Sequence, residues 1–398
     1  MVGASAAAGV ATVALRPRSG LIEPAPVEAR DYFSEEEIDR ARAYQRPQRA
    51  LGLAAMALDG AALALIAFRP PRAVRRVLER AERRPLAGAA AIGAGLSVGF
   101  ATLGLPLAAV RHRRAVKAGI SVQTWPAWLN DLGKANAIGA TLNAGALAGA
   151  MALLRRFPRT WWAPAAAGTT ALSSVFILLS PVLLDPVFNK FEPLPEGDLR
   201  REVLELAERA GVKVGEVYRV DASKRTTAAN AYVTGLGRTK RVVLFDTLLN
   251  DFPPAEVRSV VAHELSHVRS RDVQRLLAWL GIAAPAGLYL VQQLTEWITG
   301  EAEPSPAALP ALALSTGVVS FGGGLAGNVL SRRVEQRADA FALNLTEDAQ
   351  AFIDLEKRLA LKALADPQPP WLMRKLFGTH PDATERIGYA VTYALRAL

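Results

Sequence analysis

The 398-residue sequence predicts a mainly α-helical, polytopic membrane bundle of six or seven spans, carrying a membrane-proximal α+β domain with a small antiparallel sheet. Three observations predict it. Six apolar stretches, 50–68, 86–110, 135–154, 161–184, 276–294 and 306–330, each approach the ~20 residues that cross a bilayer. One polar interval, 186–275, mixes helical periodicity with β-like runs. The chain is 51% hydrophobic yet carries a formal charge of +10, which suits a membrane protein with basic loops and no nucleic-acid partner.

The elements follow in order. Residues 5–15 are apolar but short for a span, and no charged segment precedes them, so a cleaved signal peptide fits poorly. A partial or tilted first span is left open there. Residues 16–49 are polar, and Ser34 with Glu37 has the spacing of a capping box that starts a helix. Asp59 lies inside the first long apolar stretch, and Asn136, Asn143, Gln292 and Gln293 lie in or beside later ones. Such groups either line a water-filled chamber or bond between helices of a dry bundle, and both stay open. Gly322, Gly323, Gly324 and Gly327 are read as sites of close helix packing. In the connection 111–134, Trp125 and Trp128 are read as interface anchors, and the other connections between spans as loop.

The polar interval begins with a helix over 199–211. Three β-like runs follow, Glu216–Val220, 230–236 and Arg241–Phe245, with turn signals at Gly235, Gly237 and 223–227. The next helix, from about 254 to 271, contains H-E-x-x-H: His263, Glu264 and His267. Residues four apart share a helix face, so the two imidazoles can reach one metal ion while Glu264 reaches a water upon it. The chain has only four histidines and no cysteine, so the metal must be held by His and carboxylate. Catalytic zinc takes three protein ligands and keeps one open position. A helical pattern at 331–339 offers Glu335 as the third ligand, with Asp339 one turn on to fix the free ring nitrogen of a ligand His, His263 being the candidate. The expected cofactor is one Zn2+ per chain.

The runs H-E-L-S-H-V-R-S-R-D at 263–272 and S-R-R-V-E-Q-R-A-D at 331–339 resemble the integral-membrane gluzincin metalloproteases. Two branches are relevant: the type I CaaX prenyl endopeptidases, and the shorter heat-shock membrane proteases that degrade damaged membrane proteins. Ser266 departs from the glycine common in the first branch but keeps a small residue there. The likeness to the first branch extends to Tyr32-Phe33-Ser34 with Arg42 and Tyr44, to the loop at 119–134, to Asn230-Ala231-Tyr232 with Phe245-Asp246-Thr247-Leu248, and to His380-Pro381 with Arg386-Ile387.

The resemblance implies a zinc metalloendopeptidase in which Glu264 is the general base. It implies that Asn230, Ala231 and Tyr232 align an extended substrate by strand addition. His380 and Arg386 are the candidates for stabilising the oxyanion. The expected partners are membrane lipids and a peptide or protein substrate, with the need for lipidation left open.

The expected domains are a membrane region 1–185, a zincin domain 186–275, a membrane hairpin 276–330 and a C-terminal zincin portion 331–398. The turn 295–305 holds Glu296, Glu301 and Glu303 and no Lys or Arg, which puts it outside and the zinc site on the cytoplasmic side of a bacterial plasma membrane. Seven arginines within 69–86 oppose that assignment. Two other functions compete with a CaaX-type endopeptidase: a quality-control protease for membrane proteins, and a non-enzymatic scaffold with a relict metal site. The scaffold has no use for the carboxylate of Glu264.

Overall fold

The computed structural model describes residues 2–235, 240–300 and 305–397. Before the sheet the chain forms α1 (Val2–Leu15), α2 (Glu35–Phe68), α3 (Arg72–Ala81), α4 (Pro85–Lys117), α5 (Trp125–Arg156), α6 (Trp162–Leu183) and α7 (Asp185–Phe188). The domain between the membrane segments contains β1 (Phe191–Pro193), α8 (Asp198–Arg209), β2 (Glu216–Val220), β3 (Ala231–Thr234), β4 (Arg241–Phe245), α9 (Asp246–Asp251) and α10 (Pro254–Arg269). Then come α11 (Asp272–Thr299), α12 (Leu309–Thr346), α13 (Ala349–Ala363), α14 (Trp371–Phe377) and α15 (Ala383–Ala397). Among the described residues six helices are long and apolar enough to cross a membrane: α2, α4, α5, α6 continued through α7, α11 and α12.

Helix α2 starts where the capping box places it. Ser34 Oγ accepts from Glu37 N at 3.2 Å, and Glu37 Oε2 accepts from Ser34 N at 2.9 Å. Helix α1 covers the undecided N-terminal run. At about 21 Å it is shorter than the ~30 Å hydrocarbon core. It packs on α11 and α12, where Thr12 Oγ1 donates to Ala326 O at 3.2 Å and accepts from Trp279 Nε1 at 3.0 Å. Helix α12 is about 57 Å long, so it crosses the bilayer and carries its last turns well beyond it. Those turns hold Glu335 and Asp339.

The structure differs from expectation at four places. The sheet is mixed and four-stranded, in the order β1-β2-β4-β3, with β2 and β4 parallel. The long connection from β2 carries β3 two places away, and β4 returns antiparallel to β3, filling the gap in the direction of β2. Strand β1 pairs with only three residues and ends in Pro193, too little pattern to read in advance. Leu236 and the turn signal at Gly237 lie outside the described residues.

Second, the connection after α2 is not all loop. Val74, Leu78 and Ala81 repeat at helical spacing in α3, and Leu78 and Ala81 are buried against Ala89, Trp161 and Leu309. This packing sets α3 against Pro306–Ala308, at the same end of the bundle as the described end of α11; Glu301 and Glu303 of the turn between them lie outside the described residues.

Third, a Cβ placed on Gly322, Gly323 or Gly324 would meet nothing within 4 Å, so close packing does not account for these glycines. The tight approach is at Gly93 of α4, where a Cβ would lie 2.4 Å from the Asn143 carbonyl oxygen of α5. Fourth, Trp125 and Trp128 enclose the buried His112 ring, each with its centroid 4.8 Å away, so these tryptophans do more than anchor an interface.

The larger hydrophobic core sits beyond the apolar parts of the membrane helices, where the ends of α2 and α12 join the other elements. Leu244, Leu265, Leu343, Phe352 and Tyr389 join β4, α10, α12, α13 and α15. Ile22 and Phe33, which precede α2, and Ile38 in its first turns belong to the same core, so this part of the chain packs against its far end. Ala25 N donates to Gly388 O at 3.0 Å, and a Cβ on Gly388 would lie 2.5 Å from Ala25 O.

Candidate active site and metal centre

Helix α10 begins with Pro253 and Pro254, whose missing N–H groups cost nothing at a helix start. Val257, Val261 and Leu265 bury one face of α10, and Ser259, His263 and Ser266 are buried on the other, so the helix is enclosed on both sides and His263 sits in the interior. Ser266 is fully buried, so the small residue there lets α10 pack closely. The helix ends at a tight turn in which Arg271 adopts φ 54°, and Asp272 opens α11. That turn brings the Asp272 carboxylate back beneath His267.

His263 Nδ1 lies 2.8 Å from Asp339 Oδ1, and His267 Nδ1 lies 3.1 Å from Asp272 Oδ2. Each carboxylate therefore accepts the Nδ1 proton of one imidazole and leaves its Nε2 as a lone pair. The two Nε2 atoms face each other at 3.2 Å, and Glu335 Oε2 sits 3.1 Å from that of His263. Ligand atoms of His263, His267 and Glu335 all fall within 4.8 Å of one another. Three electron-rich atoms at this spacing repel unless a proton or a metal cation lies among them. Metal–ligand bonds of ~2.0–2.1 Å in a tetrahedron give ligand separations of about 3.3 Å, so the set fits a zinc-sized ion.

The electrostatics agree. Burial disfavours charge on His263, yet the carboxylates of Asp339 and Glu335 outweigh it and raise its pKa to about 10. The metal-free pocket thus draws in a proton, which an incoming metal must displace. Burial also raises the pKa of Glu264, against the pull of the two imidazoles. Glu264 borders a 140 Å3 cavity together with Asn230, Val260, Phe352 and His380.

His380 follows α14 on a short loop. Asn328 Nδ2 of α12 donates to Leu376 O at 2.7 Å and Arg332 to Gly378 O, fixing this loop to the helix that carries Glu335. His380 Nε2 lies 3.4 Å from Glu335 Oε2, and its side chain remains 60% exposed, so it is open to a ligand. Arg386 is engaged differently. Its Nε donates to Asp339 Oδ2 at 2.9 Å, and its Nη1 lies 2.8 Å from Glu356 Oε1. The guanidinium thus braces the carboxylate that braces His263.

The residues expected at 230–232 part company. Asn230 lines the cavity beside Glu264. Ala231 is buried in the sheet, and Tyr232 turns its hydroxyl to Asp185 Oδ2 at 2.9 Å. Strand β3 is nonetheless the last in the described sheet order, which leaves one edge for a further strand. Two carboxylates went unread in the sequence. Asp272 stands five residues after His267, across a helix break that hides the pairing. Glu356 lies on α13 with no motif to mark it. Burial pushes the Glu356 carboxyl up to about 7, against the opposing pull of Arg386.

Arg386→Met would leave Asp339 and Glu356 buried without their shared cation. The expected loss of stability is about 3–5 kcal/mol. A thermal melt in detergent checks it against Arg201→Met, whose side chain is 63% exposed and should melt like the wild type.

A bundle of membrane helices that holds H-E-x-x-H and a third acidic ligand just beyond one span defines an integral-membrane metalloprotease. Comparison with known proteins agrees. Residues 193–393 match peptidase family M48, and residues 21–190 match the family described as CAAX prenyl protease N-terminal, five membrane helices. The chain belongs to peptidase family M48 and is a metalloendopeptidase. An uncharacterized metalloprotease of Bacillus subtilis, YhfN, is 33% identical over 72% of this chain and 69% of its own length. CAAX prenyl protease 1 of Saccharomyces cerevisiae is 32% identical, over 40% of this chain and 36% of its own. The crystal structure of S. mikatae Ste24p shares the fold with a TM-score of 0.79 at 21% identity, covering 98% of this chain and 99% of that one.

Proposed function

We propose that this protein is a zinc-dependent endopeptidase of the CaaX prenyl protease type, which cuts a peptide, lipidated or not, at the membrane surface. One observation carries the metal: two Nε2 lone pairs and a carboxylate converge while both Nδ1 atoms are tied to carboxylates. His263, His267 and Glu335 would hold one zinc ion. Bound there, zinc supplies a Lewis acid and makes water acidic near neutral pH.

The chain's own groups do the rest. Glu264 takes the proton of the attacking water and hands it to the leaving amine. Its raised pKa keeps it a competent donor in the second step. Asp339 holds His263 in one tautomer, and Arg386 acts through Asp339 as a positioning residue. His380 faces the site and stabilises the charge that develops on the carbonyl oxygen. Asn230, Ala231 and Tyr232 align the substrate through the free edge of β3, mainly by backbone hydrogen bonds. The functional units are the membrane region 1–185, the zincin domain 186–275, the membrane hairpin 276–330 and the C-terminal zincin portion 331–398.

Matched farnesylated and unmodified CaaX peptides, incubated with purified protein and read by mass spectrometry, test the substrate. Zinc-dependent cutting that prefers the farnesylated peptide is the expected result. Equal cutting of both argues for a broader peptidase such as a quality-control protease. Cutting of neither by zinc-loaded protein contradicts the CaaX assignment.

The acidic composition of 295–305, with no Lys or Arg, supports a zinc site on the cytoplasmic side of a bacterial plasma membrane. The arginines in and beside α3 weigh the other way, and cysteine labelling decides between the two. The chain has no cysteine, so single cysteines report without background. Thr299→Cys should react with an impermeant maleimide on intact cells, and Arg201→Cys only after lysis. The reverse pattern would place the site outside.

A further inference from the structure

The geometry points to a binding site for an aliphatic chain, a groove between α2 and α14 that runs from the metal centre into the bilayer and holds the lipid anchor of the substrate. This deepens the proposed function and rests on it. The groove encloses about 700 Å3. Its inner end is formed by His380 and Arg386, its outer wall by Gly52, Leu53 and Met56 of α2, and its facing wall by Met373 and Phe377 of α14. The inner end therefore touches the residues around the metal, while the outer wall belongs to the apolar part of a candidate membrane span.

An occupant must match both ends. At α2 it meets hydrocarbon: Leu53 is 40% exposed, Met56 47% and Phe377 39%. Exposed apolar side chains here gain by covering an apolar chain or lipid. The three acids that line the groove are each paired: Asp366 with Arg49 at 3.1 Å and Arg42 at 3.6 Å, Asp382 with Arg374 at 2.8 Å, and Glu356 with Arg386 at 2.8 Å. At the other end the occupant must present a peptide bond near Glu264. A lipidated peptide satisfies both demands in one molecule.

The groove follows α2 from Gln45 to Met56, about 16 Å at the helical rise, a length that one extended hydrocarbon chain can cover.

Gly52 provides a clean test. A Cβ there would meet nothing within 4 Å, so the side chain of Gly52→Trp starts in open space and occupies the groove. The substitution is made in the full-length, zinc-loaded protein in detergent. KM for a farnesylated peptide should rise about tenfold or more, the loss of burial for roughly two methylenes, with kcat unchanged. The unmodified peptide of the same sequence should show wild-type kcat/KM. Equal changes for both peptides, or no change for either, would overturn the proposal; equal changes would point to a polypeptide occupant.

A second measurement does not depend on turnover. A farnesylated peptide with a photoreactive group on the isoprenoid is crosslinked to the Glu264→Gln protein. Adducts on 52–56 or 371–377 support the groove, and adducts confined elsewhere overturn it. If the wild type cuts neither peptide, the proposed function fails by itself, and the crosslink still decides whether the groove takes the chain.

Discussion

Glu264→Gln should abolish hydrolysis, lowering kcat/KM by about a thousand-fold or more, while the protein keeps its metal and its melting temperature. Glutamine has the shape of glutamate but accepts no proton. Glu264 lies one residue from His263 on the inner face of α10 and borders the cavity where a scissile bond has room. It makes none of the contacts that tie down His263 and His267, which go to Asp339, Asp272 and Glu335. The zinc ligands should therefore not notice the change. The same burial that raises the Glu264 pKa sets the pH profile. A carboxylate stabilised in its neutral form is a base only above its raised pKa, so activity should fall on acidification at a pH above the ordinary carboxylate range. A scaffold with a relict metal site would bind zinc and show no difference between the two proteins.

Removing the metal should have an effect of similar size. Chelation should bring peptide cleavage to background, and stoichiometric zinc should restore it. His263→Ala, His267→Ala and Glu335→Ala should each lose activity and bind less than one zinc per chain, measured by elemental mass spectrometry. Asp272→Asn should be milder. It leaves all three ligands in place but weakens the hold on His267 Nδ1, costing about 10–100-fold in zinc affinity. Because His263 takes up a proton when the metal leaves, zinc affinity should also fall on acidification. Zinc uptake independent of pH between 5 and 8 would contradict this arrangement.

The membrane architecture was readable because lipid imposes a strong, local signal: long apolar runs must be helices there. The six stretches chosen from the sequence coincide with α2, α4, α5, α6, α11 and α12, and the cap at Ser34 lies at its expected residue. Local spacing likewise marked the helix with H-E-x-x-H. What stayed hidden depends on contacts between distant segments. The parallel pairing of β2 with β4 follows from the path of the chain and not from either strand. Ile22 and Phe33 join a core made mostly of residues more than 160 positions away. Asp272 sits close to His267 in sequence, but only the left-handed turn at Arg271 folds it back. Glu356 acquires meaning from Arg386, which reaches it across the helix pair α13 and α15. Gly322 to Gly324 show the opposite failure, a pattern suggestive of packing where the structure leaves open space.

X-ray absorption at the zinc edge tests the central claim most directly, because it reads the ligands without requiring a substrate. The expected spectrum for the purified protein shows one zinc with two imidazoles and oxygen ligands at ~2.0–2.1 Å, and His267→Ala should remove one imidazole shell or the metal altogether. A zinc-free protein after zinc loading, or an imidazole signal that survives in both His263→Ala and His267→Ala, would contradict the site.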